Sequence, residues 1–274
     1  MALNERKIAF IGAGHITNII LDNLLKSEKI SSDFLIFSDP DRSKLQRLYE
    51  KYEIKIAQDN FDAVDKADFI FINVPPQVAG NVISELSQKK VSKSKLIITL
   101  AAGISINAYD KLGENIPVVR VLPNPPSQIG MGIAALAFNE YVSDKQKSDV
   151  FELFSSLGEY VVLREENINA VTALSSPVAT YLFFQSLIDA GVRAGVDHET
   201  STRIVYQTIV GAMAVWNQRH VSPQELLSEA STPGGVSVES IFTLEQHGFR
   251  AALNEAINNG ALKAKELGDA VQST

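Results

Sequence analysis

Short apolar runs alternate with amphipathic stretches through roughly the first 160 residues, and then the apolar runs stop. The runs are KIAFI (7–11), FLIFS (34–38), FIFINV (69–74), KLIITL (95–100), VVRVL (118–122) and EYVVL (159–163). They are continuously apolar rather than alternating, the pattern of parallel strands covered on both faces. Between them lie stretches with helical period, among them 15–27, 41–52 and 77–88. Strand, helix, strand repeated in this way implies an α/β fold with a doubly wound parallel sheet. Beyond Leu163 almost everything to Gly268 has helical period. The expected organisation is therefore a sheet domain over 1–164 and an all-α domain over 165–274. Helix starts are marked by Ser143 with Gln146, by Asp197, and by the run Ser222-Pro223-Gln224-Glu225.

The first run leads directly into GAGHIT, with Gly12 and Gly14 at the expected strand end. A first glycine permits the tight turn and a second lets a pyrophosphate approach the backbone, where the N–H groups of a helix start favour negative charge. The third position of the G-x-G-x-x-G pattern is Thr17, which implies looser packing of the helix on its strand. Asp39 ends the second run, where a carboxylate accepts both ribose hydroxyls and repels a 2′-phosphate. These positions point to a Rossmann-type dinucleotide site taking NAD(P)H, with NADH favoured by Asp39; Arg42 nearby would partly offset that preference. The expected cofactor-facing residues are Gly12, Ala13, Gly14, His15, Ile16, Ser38, Asp39, Asn73, Val74, Pro75, Ala101, Ala102, Gly103 and Asn124, all at or just past strand ends. Plainer readings stand beside these: a tight turn at Gly12, a helix cap at Asp39 for a helix from Pro40, and proline-flanked or idle loops at Asn124 and 101–103.

Composition excludes several other classes. Among 274 residues there is no cysteine, hence no disulfide, thiolate zinc site or cysteine nucleophile. The formal net charge is −7 with no long charge block, which argues against nucleic acid and anionic membrane as partners. No apolar run reaches membrane-spanning length, and Arg6-Lys7 leads into a run too short for a signal peptide, so a cytoplasmic protein is expected. The four histidines (15, 198, 220, 247) have no metal spacing, so no metal is expected. Trp216 and the Phe183-Phe184 pair read as core.

The stretch STPGGVSVES (231–240) separates two helical segments. It is either a breaker or an anion-and-hydroxyl site at a helix start. Taken with INVPPQ, ITLAAGIS, VVRVLPNPPSQIGMG, NAVTALSSPVATY and the full run STPGGVSVESIFTLEQHGFRAA, the chain resembles the pyrroline-5-carboxylate reductase family over roughly residues 7 to 267. The resemblance implies an N-terminal Rossmann domain and a C-terminal helical domain that pairs two copies, often into rings of dimers. It also implies hydride transfer from NAD(P)H to a cyclic imino acid, giving proline. Ser237 is then the catalytic position, with Gly234, Gly235, Val236 and Ser176 expected at the substrate.

Departures from the family pattern are local. Thr17 stands for the third glycine, Val74-Pro75-Pro76 for Val-Lys-Pro, and Ser38-Asp39-Pro40 for Ser-Asn-Arg. The Gly-Ser-Gly-Pro loop is shortened to Ser175-Ser176-Pro177, and Pro-Gly-Gly-Thr-Thr becomes Pro233-Gly234-Gly235-Val236-Ser237. The cofactor half is kept better than the substrate half. A different cyclic imine or a keto acid as substrate, or a dinucleotide-binding regulatory paralogue, therefore remain as alternatives.

Overall fold

The computed structural model describes residues 3–272, with side chains through Glu266; residues 1–2 of the first expected domain and 273–274 of the second lie outside it. Eight strands and five helices build the first part. In order they are β1 (Ile8–Ile11), α1 (His15–Lys26), β2 (Leu35–Ser38), α2 (Arg42–Tyr52), β3 (Lys55–Ile56), α3 (Asn60–Lys66), β4 (Phe69–Ile72), α4 (Pro76–Ser87), β5 (Leu96–Thr99), β6 (Val118–Pro123), β7 (Gly132–Phe138), α5 (Asp144–Phe154) and β8 (Gly158–Val162). The strand order is β3-β2-β1-β4-β5-β6-β7-β8. Pairing is parallel from β3 to β6, antiparallel between β6 and β7, and parallel again between β7 and β8. The order reverses between β1 and β4, the position where open α/β sheets bind ligands past their strand ends.

Every residue of β1, β2, β4 and β5 is buried, which is why these segments read as unbroken apolar runs. One face packs α1, α2 and α5 around Phe10, Phe37, Phe71 and Phe154. Phe10 stacks on Phe37 at 4.9 Å and on Phe71 at 4.6 Å between ring centroids. The other face packs α3 and α4 around Ile70, Ile72, Ile97 and Tyr109. Each fully buried Phe or Ile contributes on the order of 1.5–3 kcal/mol from removal of apolar surface from water.

A buried carboxylate ties α5 to the chain entering β1. Asp149 accepts from Arg6 Nε at 3.1 Å and Nη2 at 2.9 Å, and also pairs with Lys145. The Asp149 side chain is fully enclosed, and Arg6 also lies over the Phe69 ring. Removing one partner of a buried pair costs roughly 3–5 kcal/mol. Arg6 retains some solvent, so Asp149→Ala is expected to lose about 2–3 kcal/mol, measured as a lower urea midpoint; an unchanged midpoint would refute a structural role for the pair.

The helical part contains α6 (Ile168–Leu174), α7 (Val178–Arg193), α8 (His198–Arg219), α9 (Pro223–Glu229), α10 (Val236–Gln246) and α11 (Phe249–Gln272). The expected caps form. Ser143 and Gln146 make a reciprocal capping box, Asp197 accepts from Thr200 N, and Ser222 accepts from Glu225 N with Pro223 at the first helical position. By packing, the chain divides into two units: residues up to Ser175 together with those from Ile257 onward, and Ser176–Ala256. The first unit thus runs past the expected boundary at 164. The physical reason is local: Ile168 is fully buried against the sheet, and Arg120 on β6 donates to Glu165 and Asn169, each at 3.2 Å.

Within the second unit, α7 and α8 pack closely. A Cβ on Gly191 would lie 2.7 Å from Ser201 Oγ. Ile188 and Ser201 are its buried residues, whereas Tyr181, Leu182, Tyr206, Met213 and Phe242 are exposed. Trp216 and Phe183, read from sequence as core, are 43% and 42% exposed in the single chain. The sequence pattern was apolar because these faces need covering, but one copy of the chain does not cover them. The stretch Glu165–Arg193 also has the length and composition to cross a membrane, contrary to the sequence reading, because α6 and α7 together exceed either run alone. Ser175-Ser176-Pro177 interrupts it.

Candidate active site

The glycine turn is fixed by its surroundings. Gly12 has φ +101°, and a Cβ there would meet Asn73 O at 2.6 Å. Its N–H donates to Ser38 O at 2.9 Å. Gly14 differs: it caps α1 without any side-chain hydrogen bond, and a Cβ there would meet nothing within 4 Å. Gly12 is required by closeness and Gly14 leaves an open approach to the unpaired N–H groups of the first turn of α1. Ala13 is buried, while His15 is exposed and Ile16 partly so.

Thr17 does not loosen the helix. It is fully buried, and its hydroxyl donates to Gly12 O at 2.7 Å while accepting from Asn73 Nδ2 at 3.2 Å. A hydroxyl clamp replaces the close contact that a glycine would give, and Ile20, Leu21 and Leu24 of α1 remain fully buried. The other amide atom, Asn73 Oδ1, is buried without a partner beside the turn. Val74 and Pro75 follow, with Pro75 exposed at the start of α4.

Asp39 is not the cap of the following helix. That helix begins at Arg42 with Asp41 as its cap, so Asp39 is released for another task. Its Oδ2 accepts from Ala13 N and its Oδ1 from Asp41 N, each at 2.8 Å. Lys44 Nζ stands 3.7 Å from Oδ2, and Arg42 Nη2 donates to Gln58 O at 3.4 Å. Asp39 therefore joins the glycine turn to the rim of a cleft of about 410 Å³ whose walls include Gly12, Ser38, Asp39, Arg42, Asn60, Val74, Asn81 and Glu85. A second cleft, about 350 Å³, lies around Asn107, Asp110, Glu114 and Tyr141 and contains none of the expected site residues.

Further along the strand ends, Ala101 is buried, Ala102 is exposed and Gly103 turns with φ +76°. Asn124 is largely engaged: Oδ1 accepts from Ile133 N at 2.8 Å and Nδ2 donates to Ser175 O at 3.1 Å. Its amide braces two loops.

In the second unit, Gly234 has φ +73° and Gly235 caps α10 with φ −87°. The left-handed residue is thus Gly234, and Gly235 is needed for another reason, since a Cβ there would sit 2.9 Å from Thr232 O. The Gly235 N–H is already spent on Thr232 O at 2.8 Å, which narrows the expected anion cradle to the N–H groups of Val236 and Ser237. Val236 is 86% exposed and Ser237 is exposed as the second residue of α10. Ser176 is partly buried just before Pro177, the cap of α7.

Residues 165–267 match the family described as pyrroline-5-carboxylate reductase dimerisation, and residues 7–103 match the one described as NADP oxidoreductase coenzyme F420-dependent. A pyrroline-5-carboxylate reductase from Corynebacterium melassecola is 32% identical over 266 residues, covering 95% of this chain and 98% of the relative. The chain belongs to the pyrroline-5-carboxylate reductase family. A solved pyrroline-5-carboxylate reductase from Coxiella burnetii superposes with a TM-score of 0.88 at 28% identity, covering 96% of this chain and 99% of that one. A Plasmodium falciparum pyrroline carboxylate reductase, solved with NADP bound, gives a TM-score of 0.83 at 26% identity, covering 97% of this chain and 99% of that one.

For a member of the pyrroline-5-carboxylate reductase family, the strand-end geometry fits a nicotinamide dinucleotide: an open helix start at Gly14, a turn that excludes any Cβ at Gly12, and a carboxylate at Asp39. Sequence reasoning missed three residues of this site. Thr17 was read only as a missing glycine. Asn60 opens α3 and Glu85 lies in the last turn of α4, and no motif singled them out; their alignment along one cleft appears only in the fold.

Proposed function

We propose that the chain reduces 1-pyrroline-5-carboxylate to L-proline with NAD(P)H. The observation that carries this reading is the likeness to pyrroline-5-carboxylate reductase across nearly the whole chain. When bound, the nicotinamide supplies a hydride to the imine carbon, and the ring nitrogen takes a proton from solvent. The dinucleotide-binding part is residues 1–164 and the dimerisation and substrate part residues 165–274. In the first, Gly12, Ala13, Gly14, His15 and Ile16 hold the pyrophosphate. Ser38, Asp39, Asn73, Val74 and Pro75 border the adenosine half, and Ala101, Ala102, Gly103 and Asn124 the nicotinamide half. In the second, the N–H groups of Val236 and Ser237 receive the substrate carboxylate, with Gly234 and Gly235 shaping the turn and Ser176 at the edge. The Ser237 hydroxyl orients the ring nitrogen or a water beside it; an ordinary hydroxyl is a poor acid, so it positions rather than protonates. Purified protein should form proline from 1-pyrroline-5-carboxylate and oxidise NAD(P)H one for one. Turnover of another cyclic imine or a keto acid, with none of this one, would replace the reading. Cofactor binding without turnover on any of them would favour a regulatory role.

Asp39 supports NADH as the better donor. A 2′-phosphate beside this carboxylate costs roughly 1–3 kcal/mol, less what Lys44 and Arg42 return. The kcat/KM for NADH should exceed that for NADPH, and a tenfold preference for NADPH would reject this.

The exposed apolar faces of α7, α8 and α10, with the dimerisation match over 165–267, support a homodimer, with rings of dimers as the further assembly. An obligate interface of this kind buries about 2,000 Å² or more. Light scattering at micromolar concentration should give at least twice the chain mass; a stable monomer would contradict the assignment.

A further inference from the structure

Three side chains along the cleft beside Asp39 form a directed chain of hydrogen bonds. Ser38 Oγ donates to Asn60 Oδ1 at 2.7 Å, and Asn60 Nδ2 donates to Glu85 Oε2 at 2.8 Å. The direction follows from the chemistry of the last member. A carboxylate only accepts, so Asn60 must turn its N–H₂ toward Glu85. Its carbonyl oxygen then faces Ser38, and the single hydroxyl proton of Ser38 is drawn toward Asn60. What remains of Ser38 toward the cleft is lone pairs, adjoining the carboxylate of Asp39. This wall takes donors. A ribose diol has two O–H groups to give; a 2′-phosphate has only oxygens.

We propose that Glu85, acting through Asn60, fixes the hydrogen-bond polarity of Ser38 and so selects a ribose diol over a 2′-phosphate at the adenosine end of the cofactor. This rests on the dinucleotide reading of the cleft. Glu85 and Asn60 are positioning residues in it, and Asp39 supplies a separate, electrostatic contribution to the same choice. Replacing Glu85 by glutamine keeps the shape and lets the chain reverse: the Gln amide donates to Asn60 Oδ1, Asn60 donates to Ser38 Oγ, and the Ser38 proton is released into the cleft.

The test is calorimetric titration of the full chain with ADP-ribose and with 2′-phospho-ADP-ribose. It compares the unaltered protein, Glu85→Gln, Ser38→Ala, and the Glu85→Gln/Ser38→Ala pair. In Glu85→Gln the affinity ratio should move toward the phosphorylated probe by about threefold to tenfold, the worth of one hydrogen bond. On the Ser38→Ala background, adding Glu85→Gln should move the ratio by less than about twofold, since the group whose polarity is set is gone. A ratio unchanged in Glu85→Gln, or both probes weakened equally, would overturn the proposal. So would a shift that persists fully without the Ser38 hydroxyl, which would be an effect of the Glu85 charge alone. If neither probe binds the unaltered chain, the dinucleotide reading falls and this proposal falls with it.

Discussion

Gly12→Ala is expected to lower the stability of the sheet unit and to abolish useful cofactor binding together. The backbone there has φ +101°, where an L side chain is strained, and the new Cβ would stand 2.6 Å from Asn73 O and 2.9 Å from Asn73 C. Both obstacles are backbone atoms of the β4–α4 turn, so neither can swing aside. Left-handed strain and overpacking each cost roughly 1–3 kcal/mol, giving about 2–6 kcal/mol in all. The turn that yields carries Asn73 and Val74, so affinity for NADH should fall on the order of a hundredfold, about 2.7 kcal/mol. Gly14→Ala is the informative companion. It meets nothing within 4 Å and its φ is −82°, so the melting temperature should hold. Affinity should still drop at least about tenfold, because the methyl group occupies the approach to the helix start. Normal NADH affinity in Gly14→Ala would show that the pyrophosphate does not bind there.

Ser237→Ala should lower kcat/KM for 1-pyrroline-5-carboxylate by roughly tenfold to a thousandfold, typical of losing an oriented hydrogen bond at a reacting centre. The exposed hydroxyl lies at the second position of α10, so folding should be affected by no more than about 0.5 kcal/mol. NADH affinity should hardly change, since the residues assigned to the dinucleotide lie in the sheet unit. Ser237→Thr keeps the hydroxyl and should recover much of the rate. Gly235→Val should be worse than Ser237→Ala. Its backbone is ordinary, but a side chain would press on Thr232 O at 2.9 Å and displace the turn that opens the helix. Unchanged turnover in Ser237→Ala would return the Pro-Gly-Gly stretch to being a plain connection between helices.

The parallel half of the sheet was legible because burial on both faces leaves its strands no choice but continuous apolar residues. β7 was not. Its sequence, GIAALAF, is dominated by alanine, a weak strand former, and it follows a proline-rich loop. The glycines that open β7 and β8 held the available signal: a Cβ on Gly158 would lie 2.2 Å from Gly132 O, so both mark strands in close backbone approach. β3 has two exposed residues and offers no pattern at all. In the helical half, periodicity located the helices but could not say which apolar faces one copy buries. That is how Trp216 came to be read as core. At the cofactor cleft, the glycines and Asp39 were readable because backbone geometry demands particular residue types there. Asn60 and Glu85 were not, since a surface helix accepts either residue without any constraint that shows in one chain.

The clamp at Thr17 makes its effect on stability inseparable from that of Asn73. Its hydroxyl is the acceptor for Asn73 Nδ2, while Asn73 Oδ1 already has no partner. Glycine at position 17 would leave that buried amide with neither of its ends satisfied, a loss on the order of 1–3 kcal/mol. Changing Asn73 alone, in turn, strips Thr17 of one of its two bonds. The two positions are thus epistatic, and each holds the other in place.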